Sequence, residues 1–119
     1  MSDMKLGPVE SRFADIIWLN EPITSANLAL IADKELSWKK STSYTILKRL
    51  CDRGIFCNEK GTVTSLISKD DFYAMQSEQF VNDAFDGSLP AFVAAFGTRK
   101  HLSDDEINQL QNIIDNMRG

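Results

Sequence analysis

Histidine occurs once in 119 residues, at His101, and cysteine twice, at Cys51 and Cys57. An imidazole metal site or a Ser-His-Asp triad has little to build on. Two thiols outside a CxxC are too few for a disulfide framework or a zinc site. Such cysteine usage suits the cytoplasm. No run of roughly 18 apolar residues is present, so no membrane-spanning helix is expected. The opening MSDMKLGPVE lacks the apolar stretch of a secretory signal. GxGxxG, a phosphate-cradling GxxxxGKS/T, HExxH and internal repeats are all missing. An excess of positive charge is missing too: 13 Lys/Arg stand against 17 Asp/Glu, a net charge of −4. That excludes a chain that is basic throughout, but not a local basic face. Not an enzyme, no cofactor and no bound metal are the expectations.

What is present is ordinary globular material, 43% hydrophobic and 25% charged. A chain of this length buries roughly two thirds of its unfolded surface and forms a core unaided. Its charge is unevenly spread. Residues 39–60 hold six basic residues (Lys39, Lys40, Lys48, Arg49, Arg53, Lys60) against Asp52 and Glu59. Residues 74–119 hold three basic and seven acidic residues. A basic island in the middle is thus followed by an acidic C-terminal third.

The spacing of Phe13, Ile16 and Ile17 predicts a helix over about 9–19, opened by Pro8 and ended at Asn20-Glu21-Pro22. A second helix is expected from an N-cap at Thr24 to about Lys34, with Leu28, Ile31 and Ala32 as its stripe. Leu36 and Trp38 fall in the connection that follows. The third helix, about Ser41 to Arg53, turns Ser43, Ile46, Leu47, Leu50 and Cys51 to one face. Ser41, Thr45, Lys48, Arg49 and Asp52 lie opposite, flanked by Thr42 and Tyr44. Gly54 follows where a helix most easily ends with positive φ. The period then changes to extended. Residues 55–58 and 63–67 read as strands of a hairpin turning near Lys60-Gly61.

Beyond the hairpin, Ser68 caps a helix bearing Phe72, Met75, Phe80, Ala84 and Phe85, which breaks at Asp86-Gly87. Ser88 caps a short helix with Leu89, Phe92, Val93 and Phe96, expected to end at Gly97. Ser103 to Glu106 forms a capping box for the last helix, striped by Ile107, Leu110, Ile113, Ile114 and Met117. Three short helices cannot close a core around five phenylalanines, so a partner is implied, most simply a second copy of the chain. The expected interface is Phe72, Phe80, Phe85, Leu89, Phe92, Phe96, Ile107, Leu110 and Ile114. Asp70/Asp71 and Asp104/Asp105 begin helices and serve the dipole rather than catalysis. Cys51 reads as a core thiol and His101 as a surface residue.

The segment from Trp38 through Lys39-Lys40-Ser41-Thr42-Ser43-Tyr44 to Leu47-Lys48-Arg49-Leu50, with Arg53-Gly54 after it, resembles the recognition-helix motif of the penicillinase-repressor (BlaI/MecI/CopY) family of transcription regulators. Ile17-Trp18, Pro22-Ile23-Thr24, Asn58-Glu59-Lys60, residues 85–89, Leu102-Ser103 and Glu106 also match in order and spacing. The resemblance implies a mostly α fold with a small β-hairpin wing. A winged helix-turn-helix domain over 1–69 would precede a C-terminal helical dimerisation region over 70–119. It implies a cytoplasmic homodimeric repressor on palindromic double-stranded operator DNA. Ser41, Thr42 and Tyr44 would then reach base edges. Lys39, Lys40, Thr45, Lys48 and Arg49 would meet phosphates, with hydroxyls and free backbone N–H groups of Thr24 and Ser25 and the wing's Lys60 as further contacts. The wing is shorter than is usual in the family. No cysteine follows Cys57, against the copper-responsive branch, and Ala95-Phe96 stands where the β-lactam-responsive branch is cleaved at Asn-Phe. The rival reading is a winged-helix protein-interaction module without specific DNA binding.

Overall fold

A computed structural model of the chain describes residues 5–119. The elements are α1 (Pro8–Asn20), β1 (Ile23–Thr24), α2 (Ser25–Leu36), α3 (Lys40–Asp52), β2 (Phe56–Glu59), β3 (Thr62–Ser65), α4 (Lys69–Phe85), α5 (Leu89–Arg99) and α6 (Asp104–Met117). They form two compact units, Met1–Gln79 and Phe80–Gly119. The first is a winged helix domain: three helices and a small antiparallel sheet in the order β1-β3-β2.

Local chemistry explains each boundary. Pro8 sits in the first turn of α1, and the Glu10 carboxylate reaches back to accept from the Gly7 N–H at 3.1 Å. Thr24 caps α2 by accepting from the Asn27 N–H at 3.1 Å. Ser37, with φ 57°, ends α2 and turns the chain into α3 within three residues. Gly54, with φ 80°, ends α3, and the Ile55 N–H returns to the Leu50 carbonyl. Lys60 and Gly61 both have positive φ, the two-residue hairpin turn whose twist suits antiparallel strands. Glu59 stands opposite Thr62 across it.

The core of the first unit joins Phe13, Ile17, Leu28, Leu47, Leu50, Phe56 and Val63 with neighbouring small and aliphatic residues. Trp18 bridges its layers. Its indole N–H donates to the Ile67 carbonyl at 3.0 Å, and its ring lies 5.1 Å from Phe56 and 5.6 Å from Phe72. Trp38 closes the far side, 5.0 Å from the Phe13 ring. Glu21 ties the end of α1 to β3: its carboxylate accepts from the Ser65 N–H at 2.7 Å and from the Ser65 hydroxyl at 2.8 Å.

In the second unit Phe92 lies at the centre of an aromatic cluster, with Phe85 at 5.6 Å, Phe80 at 5.9 Å and Phe96 at 6.4 Å. Ser88 caps α5, and Ser103 with Glu106 forms a capping box for α6. No residue of α5 or α6 is buried. Among the described residues no helix is long and apolar enough to cross a membrane.

Three expectations are corrected, and one element was not foreseen. Phe72 is 0% exposed inside the first unit, held by Trp18 and Tyr73, so it has no surface to offer an interface. Gly97 does not end α5, which runs on to Arg99. One glycine costs a helix only about 1 kcal/mol, and the flanking turns outweigh it. Leu36 is the last residue of α2 rather than part of the connection. Ile23 and Thr24 form a strand that periodicity did not reveal, since two residues show no alternation and the pairing with β3 is tertiary.

Two substitutions read these assignments with opposite signs. Phe72→Ala removes a fully buried ring and should lower unfolding stability by about 3–5 kcal/mol. Urea titration followed by tryptophan fluorescence reports it; an unchanged midpoint contradicts the core placement. The Ser43 hydroxyl is buried without a hydrogen-bond partner. Ser43→Ala should therefore be neutral or stabilising, by up to about 1 kcal/mol, because no satisfied bond is lost.

Candidate nucleic-acid interface

The rotation of α3 about its axis decides what it offers outward. Ser43, Leu47 and Leu50 are buried, and Ile46 and Cys51 half-buried. That seats one face on the core. Ser41, Thr42, Thr45, Lys48 and Arg49 are exposed on the remainder, and Tyr44 is half-buried at its edge. Lys39 and Lys40, both exposed, stand at the start of the helix. The Lys40 ammonium lies 5.8 Å from the centre of the Tyr44 ring, a distance for cation–π attraction. The Thr45 hydroxyl donates to the Ser41 carbonyl at 2.9 Å, which leaves its oxygen able to accept.

The start of α3 differs from the other helix starts. Side chains of Thr24, Ser68, Ser88 and Ser103 cap α2, α4, α5 and α6, and Glu10 closes the start of α1. α3 has no side-chain cap and no acid in its first turn. Two lysines stand there instead, at the positive end of the helix dipole, where a cation costs about 0.3–1 kcal/mol. Orphan N–H groups beside two cations, with no acid to satisfy them, form an anion-receiving surface. Among the described residues neither Lys39 nor Lys40 has an acidic partner.

Farther along α3 the cations are engaged. Lys48 pairs with Asp52 at 3.2 Å, and Arg49 lies 3.8 Å from Glu10. Glu10 escaped sequence reasoning because its meeting with α3 is tertiary. A second cluster forms at the wing. The Ser25 N–H donates to the Gly61 carbonyl at 2.8 Å, and Thr24 stands opposite Thr62. The wing tip with Lys60 thus adjoins the start of α2. This corrects the expectation that α2 offers free backbone donors at Ser25: that N–H is taken by the wing, as the Asn27 N–H is by Thr24. The Thr24 and Ser25 hydroxyls and the Lys60 ammonium are what this corner presents.

Between α3 and β2 lies a cavity of about 330 Å³ lined by Tyr44, Leu47, Lys48, Cys51 and Asn58. Burial pushes the Cys51 thiol above its ordinary value, and the nearby Cys57 and Asp52 push the same way. Among the described residues no group of three metal-ligating side chains gathers.

A helix-turn-helix with a basic, partly uncapped second helix, followed by a β-hairpin wing, defines a winged helix-turn-helix DNA-binding domain. The sequence profile of the Penicillinase repressor family matches residues 6–116. The chain belongs to this penicillinase-repressor family of DNA-binding transcription regulators. It is 26% identical over 114 residues to the methicillin resistance regulatory protein MecI of Staphylococcus aureus strain Mu50, covering 92% of this chain and 93% of that protein. It is 28% identical over 115 residues to the penicillinase repressor of Bacillus licheniformis, covering 93% of this chain and 90% of that protein.

The thiol gives a direct check on the packing behind α3. A raised value keeps Cys51 protonated in the fold, so at about pH 8 it should alkylate more slowly there than in the urea-unfolded chain. Peptide mass spectrometry after iodoacetamide reads it residue by residue; equal rates contradict the burial.

Proposed function

We propose that the protein is a sequence-specific transcriptional repressor that binds a palindromic operator as a homodimer. The observation that carries the DNA half of the reading is the start of α3, where Lys39 and Lys40 replace the usual cap and acid. Ser41, Thr42 and Tyr44 follow directly and are the residues assigned to base edges. Lys39, Lys40, Thr45, Lys48 and Arg49 are assigned to phosphates, with Thr24, Ser25 and Lys60 at a second backbone contact. The acidic C-terminal third, with three basic residues against seven acidic ones, offers no comparable basic surface.

The assembly half rests on the second unit. Ile107, Leu110 and Ile114 are 49%, 40% and 50% exposed, and they recur along one stripe of α6. Phe80, Leu89 and Phe96 are exposed as well, and Phe85 and Phe92 are half-buried. Large apolar groups at this density are seldom left to water. A second copy covers them with a self-complementary face. A two-fold dimer would read a palindrome whose half-sites are centred about 34 Å apart, one turn of B-DNA.

Replacing Lys39 and Lys40 together by Ala should weaken binding to every duplex and flatten the dependence of affinity on salt, by about 0.9 in slope per lost phosphate contact. Equal slopes for wild type and variant defeat the assignment. Sedimentation at micromolar concentration should give about twice the 13.4 kDa chain mass. Ile107→Asp with Leu110→Asp should return the monomer and cut operator affinity by orders of magnitude, because the second half-site loses its effective concentration. A wild-type monomer that still binds a palindrome tightly refutes the dimer.

A further inference from the structure

We infer that Asp52 and Glu10 compete with DNA phosphates for the two cations in the second half of α3, and so hold down the protein's affinity for DNA of any sequence; this rests on the DNA-binding reading above. Lys48 Nζ lies 3.2 Å from Asp52 Oδ2, with side chains 79% and 67% exposed. Arg49 Nη1 lies 3.8 Å from Glu10 Oε2. A pair as open to water as Lys48–Asp52 contributes little to stability, and the Arg49–Glu10 contact, with Glu10 25% exposed, is long for an ion pair. Nor does helix formation account for Asp52. It is the last residue of α3, where the dipole disfavours an anion, and a Lys four residues before an Asp is the weaker order for such a pair. Glu10 needs only one oxygen for the start of α1: Oε1 accepts from Gly7 while Oε2 faces Arg49. Asp52 sits beside Lys48 on the exposed face of α3, and the half-buried Glu10 reaches Arg49 from the start of α1.

The consequence is electrostatic. A cation already neutralised by a carboxylate releases fewer counterions when it meets DNA, and each carboxylate repels the backbone. Lys39 and Lys40 then carry most of the phosphate attraction. Stray binding along random DNA is weakened without any change in the groups assigned to base edges.

Asp52→Asn and Glu10→Gln keep shape, and Gln retains the oxygen that accepts from Gly7. Fluorescence anisotropy with a random-sequence duplex, between roughly 50 and 200 mM salt, reads affinity and salt slope together. The double variant should bind about three- to tenfold more tightly at the lower salt, with a slope steeper by about 0.9 for each freed cation. Lys48→Ala in the Asp52→Asn background should return the slope contributed by Lys48. A double variant with wild-type affinity and slope, or with weaker binding, overturns the inference while leaving the DNA-binding reading in place. A wild type that binds no duplex at any salt overturns both.

Discussion

Burial of Leu47 and Leu50 fixes the rotation of α3, and the outward chemistry of the first unit depends on it. A helix advances about 100° per residue, so a seat for these two leucines leaves no freedom in where Ser41, Thr42, Thr45, Lys48 and Arg49 point. Turning α3 by one residue would bury a cation and expose a leucine, each at a cost of kilocalories. The core therefore acts on function by orientation, although none of its side chains is assigned to DNA. Ser43 belongs to the same seat, a polar group on the wrong side of the helix with no partner of its own.

The wing is held by a different set of forces. Trp18 reaches from α1 to the Ile67 carbonyl and lies against Phe56 and Phe72, so one indole joins α1, the sheet and the start of α4. Glu21 fastens Ser65 of β3 by its backbone and hydroxyl together. At the other end of β3, Ser25 holds Gly61. These ties set the hairpin tip beside the start of α2, which is why Thr24, Ser25 and Lys60, far apart in sequence, share one corner.

Much of this was legible in the sequence because it is local. The face of α3 follows from its period, the end of α3 from Gly54, and the hairpin from Lys60-Gly61. The capping box of α6 shows at the residues that form it, Ser103 and Glu106. What was not legible is tertiary. Phe72 belongs to the apolar stripe of α4, but a stripe does not say which neighbour it meets, and Trp18 claims it. β1 is too short to carry a pattern. Glu10 lies in the first turn of α1, and only the folded chain brings it to Arg49. The hydroxyls of Thr24 and Ser25 could be named from the sequence, but not the loss of the Ser25 N–H to the wing.

The electrostatics form one scheme. A chain of net charge −4 keeps a basic surface by gathering cations in residues 39–60 and leaving the start of α3 free of acid. The strength of that surface is trimmed by the acids beside Lys48 and Arg49. On the proposed function, specificity is left to the few polar groups of the first turn and a half, which a symmetric dimer would read twice. Footprinting on the DNA upstream of the protein's own and neighbouring genes tests this most directly. The account predicts a protected palindrome whose half-sites are centred about one helical turn apart, lost as salt rises. Protection with no preferred sequence, or none at low salt, would contradict it.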